Sequence, residues 1–408
     1  MSLSPGRRAP VSVEVARREV LAAMPRLPVE FRPVDGRLAG RVLAADVVAR
    51  FTLPPFDNSA MDGYAVLAAD VSEVPIRLPV VGEMAAGMAP GAVAIGPGTC
   101  AKVMTGAPMP SGADTVVPYE WTDRGDREVL IRERPRLGEW VRRAGEDLRP
   151  GELAIPAGTR LRPTDLAPLA ASGLAEVAVA RPPRVALLTT GDEIRPPGTE
   201  LGPGAIYDTA GPALEAQILA AGGDLVARLR LGDEPEALER EMRSAAASAD
   251  LLVTVGGVSV GDRDYVRATV ERVGNLQLWR VAMRPGRPIA LGQLEGAVFL
   301  GLPGNPVSAN VTFILFGAPG ILAMQGATHP GPVSTPAQLL ERVDKPEGLE
   351  TFHRGILERR PGALPGVRVA GNQSSGATLS LARADVIMVL PREGDSVAAG
   401  SVVEVIRL

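Results

Sequence analysis

Between Thr254 and Ser308 the chain carries three glycine-rich turns: Gly256-Gly257-Val258-Ser259-Val260-Gly261-Asp262, Arg284-Pro285-Gly286-Arg287-Pro288 and Gly301-Leu302-Pro303-Gly304-Asn305-Pro306-Val307-Ser308. Each abuts a run that reads as a β-strand. Glycine at a strand end admits backbone N–H groups close to a ligand, and the first and third turns precede helical patterns whose N-terminal ends favour an oxyanion. The middle turn adds the guanidinium forks of Arg284 and Arg287. In a chain with 46 Gly and 38 Pro, any one such turn reads equally well as a plain connection. Three together read as an anion pocket.

The surrounding pattern places that pocket. Apolar runs at 185–190, 225–231 and 251–255 alternate with helical patterns at 211–221 and 234–247, which predicts a parallel sheet with crossover helices. Further runs at 276–283, 289–291 and 298–300 lead into a long helical pattern over 306–324. Ligands of such sheets sit beyond the carboxyl ends of the strands, where the turns fall. Upstream, 12–24 predicts an amphipathic helix capped by Ser12, 51–143 a β-rich inserted module, and 163–170 a helix start. Downstream of 329 the pattern returns to β. The expected fold class is thus multidomain α/β plus β: an N-terminal and linker domain from 1–50 and 144–180, the inserted module at 51–143, an α/β domain with a mostly parallel sheet at 181–328, and a C-terminal β-domain at 329–408.

Composition excludes several function classes. A chain of 408 residues that is 46% hydrophobic can bury more than one core, and a net charge of -4 with both signs interspersed offers no general basic face, so nucleic acid is not an expected partner. Cys100 is the one cysteine, and no secretory core or membrane span is expected, which predicts a soluble cytoplasmic protein. His329 and His353 are too few for a zinc or copper site, leaving carboxylates and Mg²⁺. Lys102 and Lys345 close no phosphate loop of the G-x-x-x-x-G-K type. Gly257-Val258-Ser259-Val260-Gly261 matches a nucleophile elbow, for which only those two histidines could act as base.

Carboxylates suited to a Mg²⁺-phosphate ligand follow the strands: Asp192 and Glu193, Asp233, and Asp262 and Asp264. Asp233 and Asp262 read equally as helix caps. Far upstream, Pro54-Pro55-Phe56-Asp57-Asn58-Ser59-Ala60-Met61-Asp62-Gly63-Tyr64-Ala65 suits either a structural turn or ligand contact.

Taken in order, Asp57 to Ala65, Met104-Thr105-Gly106-Ala107, Thr190-Gly191-Asp192-Glu193 and the three glycine turns strongly resemble the MoeA and gephyrin E-domain family of molybdopterin molybdenumtransferases. The resemblance covers nearly the whole chain. It implies an elongated homodimer of four-domain chains, the third domain binding molybdopterin and the fourth barrel-like. It also implies insertion of molybdate into adenylylated molybdopterin with Mg²⁺-dependent release of AMP, and so an upstream adenylyltransferase and downstream molybdoenzymes as partners. By motif match, Asp57, Thr105, Asp147, Glu193, Asp233, Asp264, Arg280, Arg284, Arg354 and Ser374 or Ser375 line the family's cleft, and Gly256, Gly257, Ser259, Arg287, Gly304, Asn305 and Ser308 join them in holding the substrate. Glu193, Asp233 and Asp264 are implied to handle Mg²⁺, and Arg284, Arg287, Arg354 and Ser375 molybdate. The Asp57 and Thr105 motifs are implied to complete the cleft from the partner chain.

The sequence departs from the family pattern twice. Arg280, Arg284 and Arg287 stand where lysines are usual, so no titrating amine is available there. Ser374 stands where the family's Gln-Gly-Ser-Gly turn has a glycine, which predicts an altered backbone if that glycine had positive φ. An adenylyltransferase-like protein, a molybdopterin-binding scaffold and a tungstate-preferring insertase are the competing readings.

Overall fold

The computed structural model describes residues 10–257 and 265–408, with the backbone alone at Leu278 and Trp279; Ser259, Asp262 and Asp264 lie outside the described residues. The α/β part is built on a six-stranded sheet in the spatial order Asp224–Leu231, Arg184–Thr190, Leu251–Val255, Ala297–Leu302, Pro288–Leu294 and Asn275–Arg280. The first four strands run parallel. Leu251–Val255 is buried throughout, as a strand covered on both faces must be. Helices Ala210–Ala220, Pro235–Ser248 and Tyr265–Val273 supply the crossovers, each within a residue or two of the expected positions where the sequence predicts one.

The sheet is mostly parallel, as expected, with one strand reversed. Pro288–Leu294 is antiparallel to both of its neighbours, so Asn275–Arg280 and Pro288–Leu294 form a hairpin whose connection is the Arg284–Arg287 turn. Because Asn275–Arg280 again runs with the parallel set, that turn reaches the same edge as the other two glycine turns. The last helical stretch, Pro306–Met324, is long and apolar enough to cross a bilayer by length and composition alone, but 78% of its most apolar 18-residue window is buried in the chain's own core. It changes from α to π winding over Phe313–Gly317 and returns to α at Ala318–Met324. Phe313, Leu315, Phe316 and Ile321 anchor it under the sheet.

Helix Val13–Ala23 is capped by Ser12, whose hydroxyl accepts from the Val15 amide at 3.2 Å. Its stripe of Val13, Ala16 and Val20 packs on the α/β core rather than with the segment that follows it. That following segment shares a core with residues on the far side of the insertion: Leu38, Leu43 and Val47 pack with Ile155, Leu169, Val177 and Val179. Strand Val29–Pro33 pairs with Glu176–Ala180 across the same gap. The insertion holds a five-stranded sheet in the order Thr115–Pro118, Gly63–Val66, Cys100–Val103, Ile76–Met84 and Glu128–Ile131.

In the C-terminal part, Glu350–Glu358, Gly366–Val369, Ser334–Leu339, Val402–Arg407 and Val386–Leu390 are neighbours in that order, and the last pairs back onto the first. The sheet closes into a barrel, which removes its edges. Met283–Arg284 adds to it as a sixth strand beside Glu350–Glu358, so the residues of the middle glycine turn belong to both domains.

Candidate functional site

A cleft of about 900 Å³ opens along the carboxyl edge of the α/β sheet. Gly256 and Gly257 form its floor with the third turn, and Gly304 packs against the Gly256 backbone. Gly256 has φ +90°, its amide donates to the Leu302 carbonyl at 3.1 Å, and a Cβ there would lie 2.9 Å from Thr190 Oγ1. Only glycine combines that φ with that approach. The middle turn is held likewise: Gly286 has φ +96°, and a Cβ would lie 2.3 Å from Thr312 Oγ1 in the long core helix.

Within the chain the cleft gathers Glu193, Asp233, Gly256, Gly257, Arg284, Arg287, Gly304, Asn305, Ser308, Ser374 and Ser375 from the residues singled out in the sequence. Asp233 is not a helix cap. The cap of Pro235–Ser248 is Glu234, whose carboxylate accepts from the Glu236 and Ala237 amides at 3.3 and 2.7 Å, leaving Asp233 to face the cleft. Asp192 Oδ1 accepts from the Asp233 amide at 3.0 Å and so ties the two acidic turns together. Arg284 and Arg287 are exposed, and Ser308 is buried beneath the third turn.

The serine turn enters from the barrel. The Ser375 carbonyl accepts from the Val307 amide at 3.1 Å, joining the turn to the start of the long core helix. Ser374 is not among the residues with positive φ, so the serine sits in an ordinary backbone conformation without strain. The turn is shaped from behind. Arg354, fully buried, does not line the cleft: its Nε donates to Ser380 Oγ at 3.0 Å, and its Nη2 to the carbonyls of Asn372 and Ser374 at 3.1 Å each. Its Nη1 is buried and has no hydrogen-bond partner. Gln373 completes the clasp, accepting from the Arg354 amide at 2.8 Å and donating to the Arg354 carbonyl at 3.2 Å. Burial lowers the Arg354 guanidinium to about 10. Burial together with the charges of Arg354 and Arg284 lowers the neighbouring His353 to about 4, so that imidazole is neutral.

Asp57, Thr105, Asp147 and Arg280 do not line this cleft. In the inserted module Asp57 is fixed by the Ala144 amide at 2.8 Å and by Arg143 Nη1 at 2.7 Å; the amide, then the guanidinium, lower its pKa against the opposing effect of burial. Thr105 donates both its amide and its hydroxyl to Asp62 Oδ1, at 2.7 Å each, and those two bonds lower the Asp62 pKa. Asp62 is the residue that sequence reasoning passed over. Its signal was present in the quoted Asp57 to Ala65 motif, but the threonine it holds lies 43 residues away.

Comparison with known proteins agrees in order and extent. Residues 11–173 match the MoeA N-terminal region (domains I and II), 186–323 a probable molybdopterin-binding domain, and 336–408 the MoeA C-terminal region (domain IV). The chain is 38% identical to molybdopterin molybdenumtransferase 2 of Mycobacterium tuberculosis over 376 residues, covering 90% of this chain and 92% of that one. This chain belongs to the MoeA family. The molybdopterin molybdenumtransferase of Haemophilus influenzae is 34% identical over 97% of this chain and 98% of its own length. Among solved structures, a MoeA protein from Pyrococcus horikoshii is 32% identical, covers 98% of this chain and 99% of that one, and superposes with a TM-score of 0.74.

Proposed function

We propose that this MoeA-family chain inserts molybdate into adenylylated molybdopterin and releases AMP. The observation that carries the reading is the convergence, in one cleft, of a glycine floor, two exposed guanidiniums, two carboxylates and a serine turn. The names of the relatives support transfer of molybdenum to molybdopterin. Their coverage of nearly the whole chain supports an insertase over a lone adenylyltransferase domain.

The residues divide the work by charge. Molybdate is a dianion, and Arg284 and Arg287 bind and neutralise it with planar guanidinium forks. Arg354 acts through the serine turn: it fixes the backbone of Asn372 and Ser374 and places a positive charge behind Ser375. Glu193 and Asp233 suit a hard cation. With substrate phosphate completing its shell, Mg²⁺ needs only one or two such carboxylates, and Asp264 is the third carboxylate the family resemblance implies. Bound there, Mg²⁺ would neutralise the phosphates as AMP leaves. Asp62 orients the Thr105 hydroxyl, and we assign that pair, with Asp57, to the cleft of a partner chain in a homodimer.

The test is AMP release by the purified protein from adenylylated molybdopterin, with molybdate and Mg²⁺ each present or withheld. Release that requires both is the expected result. Adenylylated substrate that stays bound and intact in the presence of both would sink the insertase reading.

A further inference from the structure

The N-terminal segment 11–17 grips the middle glycine turn at two points. Val11 lies beside the stem of that turn as a parallel bridge to Val281: its amide donates to the Arg280 carbonyl at 2.9 Å, and its carbonyl accepts from the Ala282 amide at 2.7 Å. The Val281 amide donates to the Arg287 carbonyl at 2.8 Å, which closes the connection on itself, and the Ala282 carbonyl accepts from the Glu350 amide at 2.9 Å. The stretch that carries Arg284 and Arg287 is thus held by the N-terminal segment as well as by the barrel.

The second grip lies beneath the turn. In an α-helix the Leu315 carbonyl would accept from the amide of residue 319, but that residue is Pro319 and has no N–H. The core helix takes π winding over Phe313–Gly317, with the Ala318 amide donating to the Phe313 carbonyl. The Leu315 carbonyl accepts instead from Arg17 Nε at 3.2 Å, a contact across 298 positions of sequence. Burial lowers the Arg17 guanidinium, and the charges of Glu350 and Glu14 oppose that effect. Three residues before Leu315, Thr312 Oγ1 stands where a Cβ on Gly286 would meet it, so fixing the helix at Leu315 fixes the surface on which the turn rests. The two grips are joined rigidly: Ser12, directly after Val11, caps the helix that carries Arg17, and the buried stripe of that helix shares a core with Phe313, Leu315 and Phe316.

We infer that segment 11–17 is a brace for the oxyanion site and that Arg17 is a positioning residue for Arg284 and Arg287. Two planar guanidinium forks hold one tetrahedral anion only while both are aimed at it, so a small shift of the turn weakens binding. The inference rests on the insertase reading above only in naming molybdate as the anion.

Four variants of the full-length protein test it. Arg17→Met keeps the length of the side chain and removes its donor, Arg17→Lys restores a donor, Val11→Pro removes the amide that holds Arg280, and Arg18→Ala, exposed on the same helix, is the control. In hydrogen-exchange mass spectrometry Arg17→Met and Val11→Pro should exchange faster than wild type over 280–287, with Arg18→Ala and the edge strand Asp224–Leu231 unchanged. In AMP release, Arg17→Met should raise the molybdate KM about tenfold while kcat at saturating molybdate stays within about twofold, and Arg17→Lys should recover most of the loss. A merely destabilised protein would lose kcat with its active fraction and keep its KM. Unchanged exchange over 280–287 in both Arg17→Met and Val11→Pro overturns the brace, and Arg17→Lys as poor as Arg17→Met overturns the assignment of Arg17. Wild-type AMP release separates the two readings: molybdate-dependent release with an unchanged KM in the variants leaves the insertase standing and removes the brace, whereas no release together with faster exchange removes the insertase and leaves the brace.

Discussion

Arg354 is fully buried and makes no ion pair among the described residues. An uncompensated buried cation is costly, and it persists only where its hydrogen bonds are needed. Here three of them fix the serine turn and Ser380. Arg354→Ala should therefore strand the Asn372 and Ser374 carbonyls and lower stability by about 1–3 kcal/mol, measured by urea unfolding. Activity should fall through a raised molybdate KM as the turn loosens, and Arg354→Lys should recover less than half of the loss because ammonium cannot reproduce the fork. The adjacent His353 gives a pH signature. Burial lowers its folded pKa to about 4, below the ordinary imidazole value, so the unfolded chain binds the proton first. Stability is then highest above the unfolded pKa near 6.5 and falls as pH drops towards about 4, by on the order of 2–3 kcal/mol over the window. His353→Gln should flatten that part of the urea-midpoint profile between pH 5 and 6.5; an unchanged slope would show that another group sets it.

At the scale of elements, the site is a set of turns pinned by the long core helix. Gly286 is the sharpest case, with positive φ and the Thr312 hydroxyl 2.3 Å from where a Cβ would stand. Gly286→Ala should lower stability and displace Arg284 and Arg287 together, weakening molybdate binding. In a double-mutant cycle Thr312→Ala removes the clash but not the strain of the backbone, so it should restore part of the loss and give a coupling energy above about 0.5 kcal/mol. Zero coupling would mean the turn relaxes away from the helix. What was legible in the sequence follows from this division. Gly256, Gly286, the helix at Ala210–Ala220 and the strand-end acids Glu193 and Asp233 were readable because each is set by local chemistry: turn residues, apolar period and strand-end position. The antiparallel direction of Pro288–Leu294 was not, since a strand's direction is decided by which neighbour it pairs with. For the same reason Arg354 could be carried to the site by motif but not placed behind it. Its position depends on the strands Glu350–Glu358 and Val386–Leu390 closing the barrel. The helix-cap reading of Asp233 failed for a residue-level reason, because Glu234 reached the two amides first.

For the molecule as a whole, the decisive fact is a separation. The Asp62–Thr105 pair and Asp57 belong to the inserted module, whereas the cleft is built from the α/β domain and the barrel, and none of the three lines it within one chain. If the module completes the cleft of a partner chain, each active site of the homodimer takes Arg284 from one subunit and Asp62 from the other. Asp62→Asn should cost most of the activity, since it removes the carboxylate that holds the Thr105 hydroxyl, and Arg284→Ala should abolish molybdate-dependent turnover with the fold intact. Mixed, unfolded and refolded together, these two inactive proteins form heterodimers in which both lesions fall on one site and the other is wild type. Random assembly makes about half of the dimers mixed and so should restore about a quarter of wild-type AMP release. A cleft completed within one chain predicts no recovery at any mixing ratio. The comparison needs no knowledge of dimer affinity, because a mixture that remains inactive after sedimentation has shown it to be dimeric excludes the shared site outright.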